Sequence, residues 1–274
     1  QDQITRASQA GASGVLMVNN VDDPEMIAMT GGFFFFPGFM ISKATGELLK
    51  THLAEGVTVL FSENVRLPDP SKTDTLHYWT SRGPSIRQIM KPDISGPGVN
   101  IFSAGSGAGF DGKYLSGTSM AAPHITGAVA LIRQQHPGIS VEDIKALVMN
   151  SALPLHDTSG NHEVESRMGS GRVNIQGIVQ STVLIKAVDE QHAVAVNYGL
   201  LYATHPETIT REVQVVNLGA VDESFDLSVE EHVKRQGVTV VPGLDRITVP
   251  AGQSVTFPVA MNLDPARFDR IQDP

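Results

Sequence analysis

The chain has no cysteine, which excludes a disulfide framework and any thiolate metal site. A cysteine-free chain suits secretion without oxidative folding, although such chains also occur in the cytosol. Nowhere do 18 apolar residues follow one another, so no segment has the length of a membrane-spanning helix. The first residues lack the charged-then-apolar pattern of a signal peptide. Charged residues make up only 18%, and acidic ones dominate to give a net charge of −9. That balance argues against nucleic acid or an anionic membrane as the main partner. What is present fits an ordinary globular protein: 274 residues, long enough for two domains, with 41% hydrophobic residues. The chain opens on Gln1-Asp2-Gln3-Ile4 and ends at Asp273-Pro274 inside a strand-patterned region, and it reads as a fragment of a longer protein.

The most informative segment is Ser116-Gly117-Thr118-Ser119-Met120-Ala121-Ala122-Pro123-His124. Gly117 permits a sharp turn where a side chain would clash. Ser119 then opens a long apolar helix, where unpaired N–H groups and the helix dipole favour developing negative charge. A hydroxyl placed there can attack a carbonyl and leave an oxyanion. The bland alternative is a serine that merely starts a buried helix. Upstream stand Ser81-Arg82-Gly83-Pro84-Ser85 and Lys91-Pro92-Asp93-Ile94-Ser95-Gly96-Pro97-Gly98-Val99-Asn100-Ile101; downstream stands Gly169-Ser170-Gly171-Arg172-Val173-Asn174.

The nonapeptide and these three flanking blocks, in order over about 100 residues, resemble the active-serine region of the subtilisin-like serine proteases, the subtilases. Ser95-Gly96 stands where the family usually has a residue plus alanine. The resemblance implies that Ser119 is the nucleophile of an acyl-enzyme mechanism and that its own N–H is an oxyanion donor. It further implies support from the Thr118 hydroxyl and substrate contacts along Leu115, Ser116 and Gly117. The α/β fold expected is part of a subtilisin-like parallel sheet with helices on both faces.

The flanks have their own patterns. In residues 1–64, Ile4–Gly11 and Lys43–Glu55 read as helices, the latter with Leu48, Leu49 and Leu53 on one face. Gly14–Asn19, Pro37–Ser42 and Gly56–Phe61 read as strands. Gly31–Met40, with four consecutive phenylalanines, reads as a buried strand and turn rather than a membrane-docking patch. The segment Ala10–Val15 with this later pattern resembles the C-terminal half of a protease-associated (PA) domain. Residues 65–190 follow the catalytic pattern. Ser119–His136 should be a helix buried almost all round, with Pro123 in its first turn, and Ser140 with Asp143 should start a second helix, Val141–Ser151. From 191 to 274 the period becomes two, in Val213–Val215, Phe225–Val229, Val238–Val241 and Val255–Val259. Turn residues at Asn217–Gly219, Pro242-Gly243 and Pro250–Gly252 separate these strands. That part resembles the fibronectin-III-like β-sandwich following the catalytic domain in many subtilases.

A serine hydroxyl needs a general base, and the base needs an orienting group. In subtilases the order is Asp, His, Ser, so both partners should precede Ser119. Only His52 and His77 do, and neither is followed by glycine as the family's histidine is. Asn64 and Asn100 lack the Gly-Asn setting of the family's oxyanion asparagine. The aspartate, histidine and asparagine are therefore expected in an upstream half of the same protein, with this chain nearly inert alone. Asp157-Thr158-Ser159-Gly160 looks like an aspartate block but follows the serine, and reads as a solvated turn. Gly107–Gly112 fits G-x-G-x-x-G without the strand and helix a dinucleotide loop needs, and reads as a flexible connection. His124, about 140° round the helix from Ser119, reads as structural. Met120 beside the nucleophile is open to oxidation. No cofactor is implied. Family members often bind structural calcium, but no acidic cluster here has a convincing calcium spacing.

The sequence thus points to a secreted or cell-envelope serine endopeptidase acting on protein or peptide substrates. The competing class is a non-catalytic binding module with a vestigial serine. An α/β-hydrolase esterase would need G-x-S-x-G, and Ala121 stands where the second glycine belongs.

Overall fold

A computed structural model describes residues 2–20, 38–60, 70–107, 109–189 and 193–268. The chain divides into two compact units, Gln1–Pro68 and Asp69–Pro274.

In the first unit, helix α1 (Asp2–Gln9) precedes strand β1 (Val15–Val18), which pairs in parallel with β2 (Gly38–Ile41). Helix α2 (Lys43–Thr51) follows, capped by Ser42, whose Oγ accepts the Thr45 N–H at 3.1 Å. Gly46 lets α2 lie directly on β1, because a Cβ there would fall 2.2 Å from a methyl of Val18. The strand expected at Gly56–Phe61 does not form over 56–60. Gly56, at φ 80°, caps a 3-10 turn (Leu53–Glu55), and the next residues are exposed with no strand among the described residues to pair with. Leu48 and Leu53 are also exposed. Of the phenylalanine-rich run, residues 31–37 lie outside the described residues, and the remainder is β2.

The second unit carries the three sequence blocks, and they meet. Ser95 forms a parallel bridge to Arg172, which is bridged antiparallel to Leu153 on its other side. Ser95 N–H donates to Gly171 C=O and Val173 N–H to Ser95 C=O, both at 2.8 Å. Gly83 N–H donates to Ser166 C=O at 2.8 Å. Gly171 is obligatory at this joint: its φ is 120°, and a Cβ would sit 2.2 Å from Leu153 O.

Strands β3 (Ile101–Ala104) and β4 (Gly112–Leu115) then lead to helix α3 (Thr118–Gln135). They form an antiparallel hairpin, with Phe102 against Tyr114 across it at 4.8 Å between rings. The parallel sheet expected to feed Ser119 is therefore not what these described strands build. The reason is length: the short link between β3 and β4 closes a hairpin, whereas parallel neighbours need a crossover of a dozen or more residues. The G-x-G-x-x-G segment is this hairpin link, closed by Gly105 N–H on Asp111 C=O at 3.0 Å, with Ala108 outside the described residues.

Helix α4 (Val141–Asn150) starts where expected, with Ser140 Oγ accepting the Asp143 N–H. Helices α5 (Glu165–Met168) and α6 (Ile175–Gln180) follow. Asn174, from the third block, caps α6 by accepting the Gly177 N–H at 3.1 Å. Ala128 and Ile132 of α3 pack with Ile144, Leu147 and Val148 of α4, Ile178 of α6 and Leu184 in one core. Only Ala128 and Ile132 of α3 are buried, so the helix expected to be buried almost all round keeps an exposed apolar face.

Strand β5 (Val183–Val188) begins a four-stranded antiparallel sheet ordered β5-β6-β10-β8, with β6 (Glu207–Asn217), β8 (Val238–Pro242) and β10 (Ser254–Leu263). Its first strand thus starts ahead of residue 191. Strands β7 (Glu223–Asp226) and β9 (Arg246–Val249) form a separate antiparallel pair. Val213, Val215 and Phe257 from the larger sheet share a buried core with Ile247 and Val249 from the pair. The period of two is realised in β9, where Ile247 and Val249 are buried and their neighbours exposed. Asn217 is the buried polar link across this core, donating to Val221 C=O at 2.7 Å and Val249 C=O at 3.0 Å.

Candidate active site

Leu115 ends β4, Ser116 and Gly117 make the turn, and Thr118 and Ser119 open α3. Gly117 holds φ 156° and ψ 162°, a conformation open to glycine alone. The second block clamps this turn. Gly117 N–H donates to Gly98 C=O and Asn100 N–H to Ser116 Oγ, each at 2.8 Å. A Cβ at Gly98 would come 2.9 Å from Gly117 O, so that position also requires glycine. At Gly96 the nearest atoms to an added Cβ are Ala121 O at 3.2 Å and an Ile125 methyl at 3.3 Å. A Cβ there would press on both, so the position admits only a small residue, in keeping with the small-for-small difference from the family pattern.

The N-terminus of α3 is left open. Gly117 supplies no side-chain cap, and Ser119 is exposed. Neither the N–H nor the hydroxyl of Ser119 has a hydrogen-bond partner among the described residues, nor has the Thr118 hydroxyl. An unpaired N–H at the positive end of an 18-residue helix beside a free hydroxyl is the geometry that receives an oxyanion. Pro123 is the sixth residue of α3, not in its first turn. The N–H it lacks is the one that would have paired with Ser119 C=O.

No imidazole among the described residues is hydrogen-bonded to Ser119. His124 Nδ1 donates to Met120 C=O at 2.8 Å, one turn back on its own helix. His77 stacks against Trp79 with ring centres 4.2 Å apart. His52 pairs with Glu55 at 3.1 Å. Asn64 lies outside the described residues, and Asn100 is spent on the Ser116 clamp through its backbone. Asp157 forms the expected turn, accepting the Ser159 and Asn161 N–H groups at 2.8 Å. Hydrogen bonds from the Asn161 side chain and from backbone N–H groups hold this exposed carboxyl below the ordinary aspartate range.

Two further features escaped the sequence reading. An apolar cleft of about 370 Å³ lies among Met149, Lys186, Val196, Leu227 and Phe257, and Ser119 is not in its lining. His162, Glu165 and His232 bring one ligand atom each within 4.8 Å of one another. Glu165 Oε1 accepts from His232 Nδ1 at 3.0 Å. Burial disfavours the charge on Glu165, but that bond, its own backbone N–H and the two imidazoles together hold its carboxyl below the usual range. Calcium takes six to eight oxygen ligands, and a set with two imidazoles does not fit it. The spacing His156, His162, Glu165 was visible in the sequence; the partner from a loop some 70 residues on was not.

Residues 1–171 match the subtilase family. The chain is 33% identical over 259 residues to the minor extracellular protease Vpr of Bacillus subtilis (strain 168), covering 92% of the chain and 30% of that protein. It is 28% identical over 312 residues to the PII-type proteinase of Lacticaseibacillus paracasei, covering 99% of the chain and 16% of that protein. It is 31% identical over 244 residues to the C5a peptidase of Streptococcus pyogenes serotype M3, covering 85% and 19%. The chain thus spans less than a third of the length of these relatives. No helix among the described residues is long and apolar enough to cross a membrane. The serine turn, the two blocks that clamp and support it and the matched span agree: the chain belongs to the subtilase family of subtilisin-like serine proteases.

Proposed function

We propose that this chain carries the nucleophile half of a secreted or cell-envelope serine endopeptidase whose general base, orienting aspartate and side-chain oxyanion donor lie in an upstream part of the same protein. The observation that carries it is Ser119 itself: exposed, on a glycine-dependent turn, beside an unpaired helix N-terminus, and with no imidazole among the described residues bonded to it.

In this reading Ser119 Oγ attacks the scissile carbonyl carbon while the upstream imidazole takes its proton. The carbonyl electron pair moves onto oxygen, where the Ser119 N–H donates to it and the Thr118 hydroxyl supports it. Collapse expels the amine, which receives the proton from the imidazolium, and water then releases the acyl group by the same steps. The extended stretch Leu115, Ser116 and Gly117 lines the approach of a peptide substrate. Exposed apolar residues on the hairpin that leads to the serine fit an upstream half that covers them: Phe102, Tyr114 and Leu115 are 61%, 48% and 43% exposed. The parallel pair with α2 is read as part of a PA-like lobe, and the two antiparallel sheets as a fibronectin-III-like sandwich.

The test is labelling with a fluorophosphonate probe read by intact mass. The 274-residue chain alone should stay unlabelled, and a longer form with the upstream segment should take one probe, lost in Ser119→Ala. Stoichiometric labelling of the short chain would refute the division of the site. A longer form that never labels would favour the non-catalytic binding module.

A further inference from the structure

The cluster His162, Glu165 and His232 lies outside the serine site, and three elements converge to build it. His162 is fixed by an antiparallel bridge to His156, closed by the Asp157 turn between them. Glu165 is the first residue of α5, whose Ser166 and Met168 carbonyls accept from Gly83 N–H and Ser95 Oγ. His232 comes from the loop between β7 and β8. The rings of His162 and His232 lie 3.8 Å apart, and His156 meets His162 edge-on at 5.7 Å. Arg167, on the same helix, pairs with the buried Glu163, with contacts of 2.9 and 3.0 Å. The Glu165 carboxylate pairs instead with His232.

We propose that His162, Glu165 and His232 form a zinc-class divalent metal site that fastens the β7–β8 loop to α5. Two imidazoles and a carboxylate are the donors zinc takes, at about 2.0–2.2 Å in tetrahedral array, which puts neighbouring donor atoms about 3.3 Å apart. The Glu165–His232 pair already stands at 3.0 Å, and the whole set lies within 4.8 Å, so small side-chain rotations close the site. Water or His156 completes the fourth position. The site is structural in its effect: α5 holds the first two sequence blocks, and the metal joins the β-rich part to it. Lys234 and Arg235, two and three residues past His232, are exposed and lie in the same loop, so they report whether the metal fastens it.

The experiment titrates the full chain with buffered Zn2+, alongside Ca2+ and Mg2+, and reads bound metal by elemental analysis. One zinc per chain is expected, with no retention of Ca2+ or Mg2+. His162→Gln and His232→Gln should each weaken zinc binding at least about 100-fold, more than loss of an outer-shell partner. His205→Gln, at an exposed histidine elsewhere, should leave it unchanged, and far-UV circular dichroism checks that each variant folds. Tryptic cleavage after Lys234 and Arg235 is the second readout: free zinc at ten times Kd should slow it about tenfold, and not in Glu165→Gln. No zinc retained, or equal retention in the His205 and His232 variants, would overturn the site. Cleavage indifferent to zinc would overturn its fastening role.

Discussion

Replacing Asn217 with alanine should be among the most damaging single changes in the β-rich part. Its side chain is 1% exposed and makes three hydrogen bonds: to Val221 C=O, to Val249 C=O and from Gly219 N–H. The Val249 bond is fully buried and joins β6 to β9, so its carbonyl loses its partner where water does not reach. A buried polar group left unpaired costs about 1–3 kcal/mol, and a bond near the surface about 0.5–1.5 kcal/mol. The total is about 2–6 kcal/mol, and at about 2–4 °C per kcal/mol Tm should fall by roughly 4–24 °C. Thermal unfolding followed by circular dichroism measures this. Asn217→Asp separates hydrogen bonding from shape. It keeps the acceptor for Gly219 but sets a buried negative oxygen against two carbonyls, which raises the folded-state pKa of the introduced carboxyl. Its destabilisation should be greatest at neutral pH and relax as pH falls through that raised value. A Tm within about 1 °C of the parent for Asn217→Ala would refute the reasoning, as would an aspartate variant insensitive to pH.

Gly117→Ala should cost about 1–3 kcal/mol because alanine is strained at φ 156°, whereas Gly96→Ala should stay within about 1 kcal/mol; equal urea midpoints for the two would contradict the backbone argument. Asp157 should titrate below the ordinary aspartate range in a carboxyl NMR titration. Its folded pKa is lowered, so its contribution is complete above the ordinary range and is lost as pH falls through the lowered value; an unshifted midpoint would remove the turn hydrogen bonds from the account. The isolated chain should bind a hydrophobic dye and self-associate through the exposed apolar residues around Ser119, and a dye-free, soluble monomer with one sharp unfolding transition would show that surface to be satisfied without an upstream half.

Much of the serine region is legible because its chemistry is local. Ser119 at a helix start, the glycine turn before it and Ser140 as a cap depend on neighbours within a few residues, and all three stand where the sequence places them. The alternation of β9 is legible for the same reason. Local reading failed where a partner was required. Gly56–Leu60 has strand composition but no strand beside it among the described residues, and α3 has an apolar sequence but buries only Ala128 and Ile132. The short link after β3 makes β3 and β4 antiparallel neighbours, a pairing the apolar pattern alone did not specify.

The sequence by itself determined that Ser119 opens a helix behind a glycine turn, that Ser140 caps the next helix and that β9 alternates, because side-chain type and spacing fix these within one or two turns of chain. Only the tertiary structure decided why Gly171 and Gly98 must be glycine, that Asn217 bonds Val249 across the core, and that His232 meets His162 and Glu165. Each of these depends on atoms brought within bonding distance from tens of residues away, and nothing in linear spacing encodes that distance.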